Sequence, residues 1–378
     1  MTNGVFSGLL VVDLTRVLAG PFCTMLLAEL GARVIKVEDP RGGDDSRHFE
    51  PFFEGQSAYF ASLNRGKESI ALDLKDEADR TVFRKLVGRA DVLVENFRPG
   101  TLERLGFGYE ALRAVNPRLI FAAVSGFGQT GPWSRKPAYD LIVQALGGMM
   151  SVTGQPGGPP TKAGTSVGDI TGGLFLLAGI AGALYHREKT GAGRLVDVAM
   201  LDGQLAILES AIMRYAATGQ VPGPLGNRHP SITPFEPYAA ADRPLVIAAG
   251  NDAIFGRLCA ALGRADLAAD PRYASNSART RNAEALKADV DAALGRQPAD
   301  YWIEVLEAAG VPCALMQNVA EAVAHPQAQA RNMVVHCGGL LMAGNPIKIE
   351  GFADSLTRRP APELNADGDR IRRELEAM

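Results

Sequence analysis

The sequence predicts an α/β protein: a large domain with a mostly parallel sheet covered by helices, and a smaller α+β domain. Three observations lead to this prediction. Apolar runs alternate with helical stretches over roughly the first 200 residues. The chain has 378 residues, 47% of them hydrophobic and 21% charged, which suits two globular domains. A proline-rich segment, residues 219–237, then separates two regions of different texture and predicts a long connection.

The first forty residues have a β-α-β pattern. Leu9–Leu14 is a dense apolar run, as in strands that are buried on both faces. A Gly-Pro pair opens a helix over Phe22–Leu30, and Gly31 ends it. Ala32–Glu38 is the second strand, and so short a connection predicts a parallel, right-handed crossover.

The alternation continues along the chain. Further strands are predicted at Ser69–Leu72, Asp91–Glu95, Arg118–Val124, Arg194–Ala199, Pro244–Ala249, Val311–Leu315, Val334–Cys337 and Pro346–Ile349. Helices are predicted at Glu77–Val87, Tyr109–Val115, Tyr139–Met150, Ile170–Glu188 and Leu201–Thr218, and at residues 251–263, 278–294 and 299–309. The predicted large domain comprises residues 1–205 and 331–378. Residues 206–225 are a linker and residues 226–330 a small domain.

Composition and charge exclude several classes of protein. The net charge of −3 lacks the basic excess of a duplex-binding protein, so we expect no nucleic acid partner. The four cysteines form no C-x-x-C pair and no zinc spacing with histidine, so we expect no metal and a reduced, cytoplasmic location. The first residues show no signal-peptide pattern. The apolar run Ile170–Tyr185 is shorter than the ~20 residues of a membrane span, which predicts a buried core helix and no membrane association.

Gly126, Gly128 and Gly131 match the G-x-G-x-x-G pattern after a predicted strand. In dinucleotide-binding folds a helix begins at the third glycine, and its N-terminus binds the pyrophosphate. Here Pro132 follows instead, and no acidic residue stands ~20 positions later to bind a ribose. We therefore expect no nucleotide cofactor.

Asp169 stands in the glycine-rich stretch TSVGDITGG, directly before the apolar helix. From spacing alone it is best explained as a helix N-cap, which contributes about 1 kcal/mol. The glycines at 164, 168, 172 and 173 suggest another role, because they let a ligand or another backbone approach closely. A carboxylate at a helix N-terminus in such a pocket could act as a nucleophile.

Basic and aromatic residues follow the predicted strands. They are Asn96, Phe97, Arg98 and Arg104 after one strand, and Lys136 and Tyr139 after the next. In an open parallel sheet, ligands bind outside the carboxyl ends of the strands. Arginine and lysine there suit phosphates, and an aromatic ring could line a channel for adenine or a thiol arm. A solvated charged rim explains these residues equally well.

Together these segments resemble the class III CoA-transferases, the formyl-CoA transferase and carnitine CoA-transferase type. The matching segments are DLTRVLAGPF (13–22), GARVIKVE (31–38), NRGKESIALDLK (64–75), DVLVENFRPGTLERLGFGYE (91–110), GFGQTGP (126–132), the Gly-Asp pair at 168–169 and TGAGRLVDVAMLD (190–202). The match runs in order through most of residues 8–210. It continues more thinly through AAGVPC (308–313) and HPQAQARNM (325–333).

The resemblance implies a large Rossmann-like domain built from both chain ends, an inserted small domain, an interlocked homodimer and no metal. It implies an acyl-CoA and a carboxylic acid as partners, with coenzyme A as a substrate and no cofactor. It also makes Asp169 the nucleophile, which forms an anhydride with the donor acyl group and then a thioester with CoA. By the same match, CoA would contact Val17, Leu18, Ala19, Leu72, Asp73, Lys75, Asn96, Phe97, Arg98, Arg104, Lys136 and Tyr139.

The chain departs from the family pattern in two places. Formyl-CoA transferase has Gln where this chain has Leu18, and it has a run of glycines that residues 219–260 lack. Formate and oxalate are therefore not expected as substrates. Some members have Arg directly after the V-E pair. Here that residue is Asp39, so Arg41 would be a displaced phosphate contact.

Two alternative functions remain open. The 2-methylacyl-CoA racemases share the fold and the CoA site, but they use a His-Asp pair where this chain has Tyr139 and Asp140. A phenol is a poor base near pH 7. The other alternative is a non-catalytic acyl-CoA-binding protein, against which the intact Asp169 pocket argues.

The acceptor acid is less constrained by the sequence. Arg228 or His229 could pair with a second carboxylate, which would favour a dicarboxylate such as succinate. A surface loop is an equally good explanation of these two residues.

Overall fold

The structure is a computed structural model that describes residues 4–377. Its strands are β1 (Leu10–Asp13), β2 (Arg33–Glu38), β3 (Phe52–Phe53), β4 (Gln56–Ser57), β5 (Glu68–Ala71), β6 (Val92–Glu95), β7 (Ile120–Ser125), β8 (Leu195–Ala199), β9 (Phe235–Ala239), β10 (Pro244–Ala248), β11 (Cys313–Leu315), β12 (Val334–Cys337), β13 (Leu340–Ala343) and β14 (Thr357–Arg358). Its α-helices are α1 (Ala19–Glu29), α2 (Ala58–Asn64), α3 (Glu77–Arg89), α4 (Thr101–Arg104), α5 (Tyr109–Val115), α6 (Asp140–Leu146), α7 (Met149–Val152), α8 (Val167–Thr190), α9 (Met200–Ile207), α10 (Glu209–Thr218), α11 (Asp252–Ala261), α12 (Ala265–Ala269), α13 (Asn276–Arg281), α14 (Ala283–Leu294), α15 (Ala299–Ala308), α16 (Val319–Ala324), α17 (Pro326–Ala330) and α18 (Gly368–Glu376).

Six strands form a fully parallel sheet in the order β5-β2-β1-β6-β7-β8. The middle strands are buried on both faces, which explains their continuous apolar runs. Helices α1 and α8 pack on one face of the sheet, and α3, α5 and α18 pack on the other. The predicted parallel α/β architecture is confirmed.

Helix α8 has 24 residues and is longer than the predicted stretch Ile170–Glu188. By length and composition alone it could cross a membrane, although 39% of its most apolar window is buried inside the protein. It packs against α1, α9 and strand β7, and Leu176 and Ile180 lie in the core below the sheet. It is thus a core helix with one apolar face left exposed.

The chain divides into two compact units. The larger comprises residues up to 150, residues 162–220 and residues from 326 onward. The smaller comprises residues 151–161 and 221–325. Residues 206–220 were predicted as part of a linker, but they lie in the larger unit and contain α10. The smaller unit has an antiparallel sheet in the order β11-β10-β9, with α11, α14 and α15 packed around its core.

One strand was not predicted, and one predicted strand is absent. Strand β9 begins within the proline-rich segment 219–237, which predicts a long connection. Pro237 is tolerated there because β9 is an edge strand that pairs only with β10. The strand predicted at Pro346–Ile349 is absent. Instead β13 pairs with β12 across Gly338 and Gly339, whose φ angles of +54° and +79° suit a two-residue hairpin turn.

Candidate functional site

Asp169 lies in the first turn of α8, where α8 meets the N-terminus of α1. Because α1 links the parallel strands β1 and β2, and α8 leads into the parallel strand β8, both helices begin at the carboxyl edge of the sheet. A Cβ atom on Gly173 would lie 2.6 Å from the carbonyl oxygen of Ala19, so the first turn of α1 is in contact with the second turn of α8. The positive ends of two helix dipoles therefore meet at this edge.

The glycines around Asp169 mainly allow close helix packing. A Cβ atom on Gly168 would lie 2.6 Å from a methyl carbon of Val143, and one on Gly172 would lie 3.2 Å from Met200 Cγ. Gly164 differs, because a Cβ atom there would have nothing within 4 Å. The close approach that these glycines permit is thus largely that of neighbouring protein segments.

Asp169 is not the N-cap that its spacing suggests. Ser166 occupies the cap position, and Asp169 lies inside the helix. Within residues 4–377 its carboxylate makes no hydrogen bond and no ion pair. Burial, aided by the nearby carboxylate of Asp140, raises the pKa of Asp169 to about 7. A partly buried carboxylate whose oxygens have no protein partner is suited to bind or attack a ligand.

Asp140 holds the chain that carries Asp169. The Gly168 N–H donates to Asp140 Oδ1 at 2.8 Å, and Gln144 Nε2 donates to Asp140 Oδ2 at 2.7 Å. Gln144 in turn accepts the N–H of Ala163 through Oε1 at 2.9 Å. These bonds fix the segment before α8 against α6, and so they fix the direction in which Asp169 leaves the helix.

Tyr59 is a site residue that the sequence reasoning missed. It lies half-buried on α2, edge to face with Phe49 at 5.5 Å between ring centroids. Burial, together with Asp169 and two further carboxylates, raises the pKa of Tyr59 to about 12. Its phenol therefore remains a neutral hydrogen-bond donor close to Asp169. Helix α2 was not predicted, and no motif in the sequence marks Tyr59.

A pocket of about 200 Å³ opens at the carboxyl edge of the same sheet. Four of the predicted CoA-binding residues line it, namely Leu72, Asp73, Lys75 and Phe97. Arg41 lines it as well, but its guanidinium already binds both carboxylate oxygens of Asp39, at 2.9 and 2.7 Å. The pocket thus offers an apolar wall, the ammonium group of Lys75 and two arginines, Arg16 and Arg41, of which Arg41 is held by its neighbour Asp39.

The other predicted residues lie at the same edge but outside this pocket. Val17, Leu18 and Ala19 form the turn into α1, and Arg98 is exposed after β6. Arg104 is exposed on α4 and donates to Thr101 Oγ1 at 3.1 Å. The Lys136 ammonium lies 3.6 Å from the ring centroid of Trp133, and Tyr139 is 74% exposed directly before α6.

Asn96 is hydrogen-bonded to the turn before α1. Its side-chain oxygen accepts the N–H of Arg16 at 2.9 Å, and its side-chain nitrogen donates to the Arg16 carbonyl at 2.7 Å. Both functional groups of this amide are thus bonded to that turn. The contact between Asn96 and CoA stays a prediction.

An open parallel sheet with an unpaired carboxylate and a pocket at its carboxyl edge defines a ligand-binding α/β protein that carries a potential nucleophile. The sequence profile of CoA-transferase family III matches residues 6–368. The chain therefore belongs to CoA-transferase family III, as the resemblance predicted.

Proteins of known activity extend this assignment. Acetyl-CoA:oxalate CoA-transferase from Acetobacter aceti is 53% identical, with 99% of this chain and 97% of the relative aligned. Succinate–glutarate CoA-transferase from Agrobacterium fabrum is 39% identical, with 98% and 96% aligned. The crystal structure of a CaiB/BaiF family protein from Brucella suis superposes with a TM-score of 0.88 and is 41% identical, over 99% of this chain and 100% of that chain. The chain is thus an enzyme that transfers CoA from an acyl-CoA to a carboxylic acid.

Proposed function

We propose that this enzyme transfers CoA from an acyl-CoA to a small dicarboxylic acid, with Asp169 as the nucleophile. The observation that carries the proposal is the unpaired, partly buried carboxylate of Asp169 at the meeting point of two helix N-termini. The similar enzymes named above act on oxalate, succinate and glutarate. A succinyl-CoA:mesaconate CoA-transferase from Haloarcula hispanica is 43% identical over 92% of this chain. Dicarboxylic acids recur in all three names.

The proposed reaction has two halves, one with the donor and one with the acceptor, and the Asp169 carboxyl group takes part in both steps of each half. A carboxylate oxygen of Asp169 attacks the thioester carbonyl of the donor, and the CoA thiolate leaves as a mixed anhydride forms. The thiolate then attacks the Asp169 carbonyl, which releases the donor acid and leaves an aspartyl-CoA thioester. The acceptor carboxylate attacks the carbonyl of this thioester, which gives a second anhydride and releases the CoA thiolate. The returning thiolate attacks the acceptor carbonyl and frees Asp169.

The surroundings of Asp169 suit this chemistry. The first turn of α1 has no side-chain cap, and we propose that its backbone N–H groups stabilise a developing oxyanion. Partial burial limits access of water, which would otherwise hydrolyse the anhydride. We also propose that the 200 Å³ pocket binds the nucleotide end of CoA, with Lys75 on a phosphate and Phe97 beside the adenine.

The rate of transfer should depend on pH with an acidic limb near pH 7. The pKa of Asp169 is raised to about 7, so the nucleophilic carboxylate is lost as the pH falls through that value. Asp140→Asn removes the smaller cause of the shift and should move the limb to lower pH, while burial, the larger cause, keeps the pKa of Asp169 above the ordinary aspartate value. Single-turnover rates between pH 5 and 9 measure both effects. A rate that stays constant from pH 8 to pH 5 would contradict the role given to Asp169.

The choice of acceptor needs an experiment rather than an argument from motifs. Leu18 and the missing glycine run argued against oxalate. The relative that is 53% identical nevertheless carries oxalate in its name, so we propose to include oxalate among the acceptors.

Arg228 and His229 lie in the smaller unit on the segment before β9, where His229 Nδ1 accepts the Ser231 N–H at 3.2 Å. A screen of acetyl-CoA and succinyl-CoA against oxalate, succinate, glutarate, mesaconate and formate tests the dicarboxylate proposal. Preference for formate over every dicarboxylate would reject it.

The racemase alternative predicts a different isotope result. Tyr139 stands where α-proton exchange would use a histidine, and its exposed phenol is a poor base. The enzyme should therefore not exchange the α-proton of a 2-methylacyl-CoA in deuterated water, and Tyr139→Phe should retain most transferase activity. Mass spectrometry of the recovered thioester measures the exchange. Deuterium incorporation as fast as CoA transfer would favour the racemase.

We further propose that the enzyme is a cytoplasmic homodimer. Helices α6, α8, α9 and α10 leave apolar side chains exposed on neighbouring surfaces, among them Leu141, Phe175, Leu205 and Met213. An apolar area of this kind is usually covered by a partner, and a second copy is the partner that the family resemblance implies. The four cysteines are free, which suits a reducing compartment. Sedimentation equilibrium would show a monomer if the dimer proposal is wrong.

A further inference from the structure

The turn that leads from β1 into α1 contains an unusual backbone conformation. Val17 has a φ angle of +66°, in the left-handed region. Among the described residues, four non-glycine residues have a positive φ, and Val17 is the β-branched one. Such a residue strongly disfavours this conformation, because its branched Cβ crowds the neighbouring backbone. The conformation persists only where surrounding contacts impose it.

Two hydrogen bonds impose the positive φ angle of Val17, and both of them hold the same peptide group. The Val17 N–H donates to Asp44 Oδ1 at 3.1 Å, and the Arg16 carbonyl accepts from Asn96 Nδ2 at 2.7 Å. These two atoms belong to the same peptide plane, between Arg16 and Val17. With both of its polar ends bonded, this plane cannot rotate, and the φ angle of Val17 is fixed.

Asp44 is itself held in place by buried charge. The Lys36 ammonium lies 2.9 Å from Asp44 Oδ2, and neither side chain has any exposed area. Lys36 also donates to the Thr15 carbonyl at 2.6 Å, two residues before Val17. Asp44 Oδ1 accepts the Ser46 N–H at 2.9 Å as well. The Asp44 carboxylate that accepts the Val17 N–H is thus fixed in position.

We propose that Asp44 is a positioning residue, which works with Asn96 to keep Val17 left-handed and so to hold Leu18 at the edge where α8 presents Asp169. This inference rests on the proposed function, because its effect is read in CoA transfer through Asp169. Without the Asp44 acceptor, Val17 relaxes to a negative φ, and the chain direction at Leu18 and the first turn of α1 changes. The expected loss is in kcat, because the reacting groups are misaligned.

The test compares two double variants that both lack the buried charge pair. Lys36→Met/Asp44→Asn keeps an amide oxygen for the Val17 N–H, whereas Lys36→Met/Asp44→Leu has similar shape and no acceptor. We expect the leucine variant to have a kcat at least about tenfold lower than the asparagine variant. Adding Val17→Gly to the leucine variant should restore at least about threefold, because glycine adopts a positive φ without strain.

Rescue by glycine separates positioning from simple stability. A glycine that relieves no backbone strain lowers the stability of a turn, because it makes the unfolded chain more flexible. If Asp44 has a purely structural role, adding Val17→Gly to the leucine variant should therefore restore no activity and should lower the melting temperature. Glu54→Gly in the same background is the matched control, since Glu54 also has a positive φ, +48°, but lies on an exposed turn. It should restore nothing.

A second variant covers a failure of the buried substitutions to fold. Asn96→Ala removes the other hydrogen bond, the one to the Arg16 carbonyl, at a partly exposed position. Adding Val17→Gly should restore kcat in this variant in the same way. Equal kcat values for the asparagine and leucine variants, or no rescue in either background, would overturn the inference. Mass spectrometry of the wild type distinguishes a failure of this inference from a failure of the proposed function. Absence of a CoA adduct on Asp169 would reject the function, whereas an adduct without rescue rejects the positioning role alone.

Discussion

Asp169→Ala is expected to lower kcat for CoA transfer by at least about a thousandfold, because the proposed mechanism places both the anhydride and the thioester on the Asp169 carboxyl group. Wild-type enzyme incubated with donor acyl-CoA should carry CoA covalently on this residue, detectable by peptide mass spectrometry. CoA affinity should change little, because the pocket lined by Leu72, Lys75 and Phe97 does not include Asp169. Calorimetric titration with CoA measures that separately.

The control for this variant is Asp369→Ala. Asp369 is likewise an aspartate in the first turn of a helix, but it is exposed on α18, far along the chain from the site residues. It should transfer CoA at the wild-type rate. Because burial disfavours the charged form of Asp169, Asp169→Asn should also resist urea better than wild type above pH 7, where the native carboxylate is ionised. Transfer at a tenth of the wild-type rate or more in the alanine variant would remove Asp169 from the mechanism.

Asp13→Ala should have the largest effect on stability, a loss of about 3–5 kcal/mol in the free energy of unfolding. Asp13 Oδ2 accepts from the Lys67 ammonium at 2.9 Å and from Thr24 Oγ1 at 2.7 Å, and none of these side chains is exposed. Burial by itself raises the pKa of Asp13, but Lys67 and Lys36 outweigh it and hold that pKa below its usual range. Removing the carboxylate leaves a buried ammonium group without its counter-ion.

Urea denaturation at a fixed protein concentration measures this loss. Asp13→Leu/Lys67→Met removes both charges together and should recover most of the stability, since replacing a whole buried pair is often close to neutral. Arg84→Ala breaks the exposed pair between Arg84 and Glu77 and should cost no more than about 1 kcal/mol. A similar small cost for Asp13→Ala would show that the buried network contributes little to folding.

The parallel sheet was predictable because local signals define it. Strands β1, β2, β6 and β7 are short apolar runs bounded by turns, and each predicted range agrees with the structure to within two residues at either end. The strands of the smaller unit were harder to predict, because Pro237 looks like a strand breaker until β9 is known to be an edge strand. In the same way, Gly148, with a φ of +83°, ends the predicted helix Tyr139–Met150 early, so that α6 and α7 form separately.

The sequence by itself determined the family and the parallel sheet, and it singled out Asp169 as the candidate nucleophile, because these depend on residue order and on short local patterns. Only the tertiary structure decided what surrounds Asp169. Tyr59, Asp140 and Asp44 lie far apart along the chain, and the packing of α2, α6 and the loop after β2 brings them to one edge. The structure likewise shows that Asn96, a predicted ligand contact, also bonds the backbone of Arg16 in the turn before α1. Burial, hydrogen-bond partners and a left-handed valine are properties of distant segments in contact, which no local pattern records.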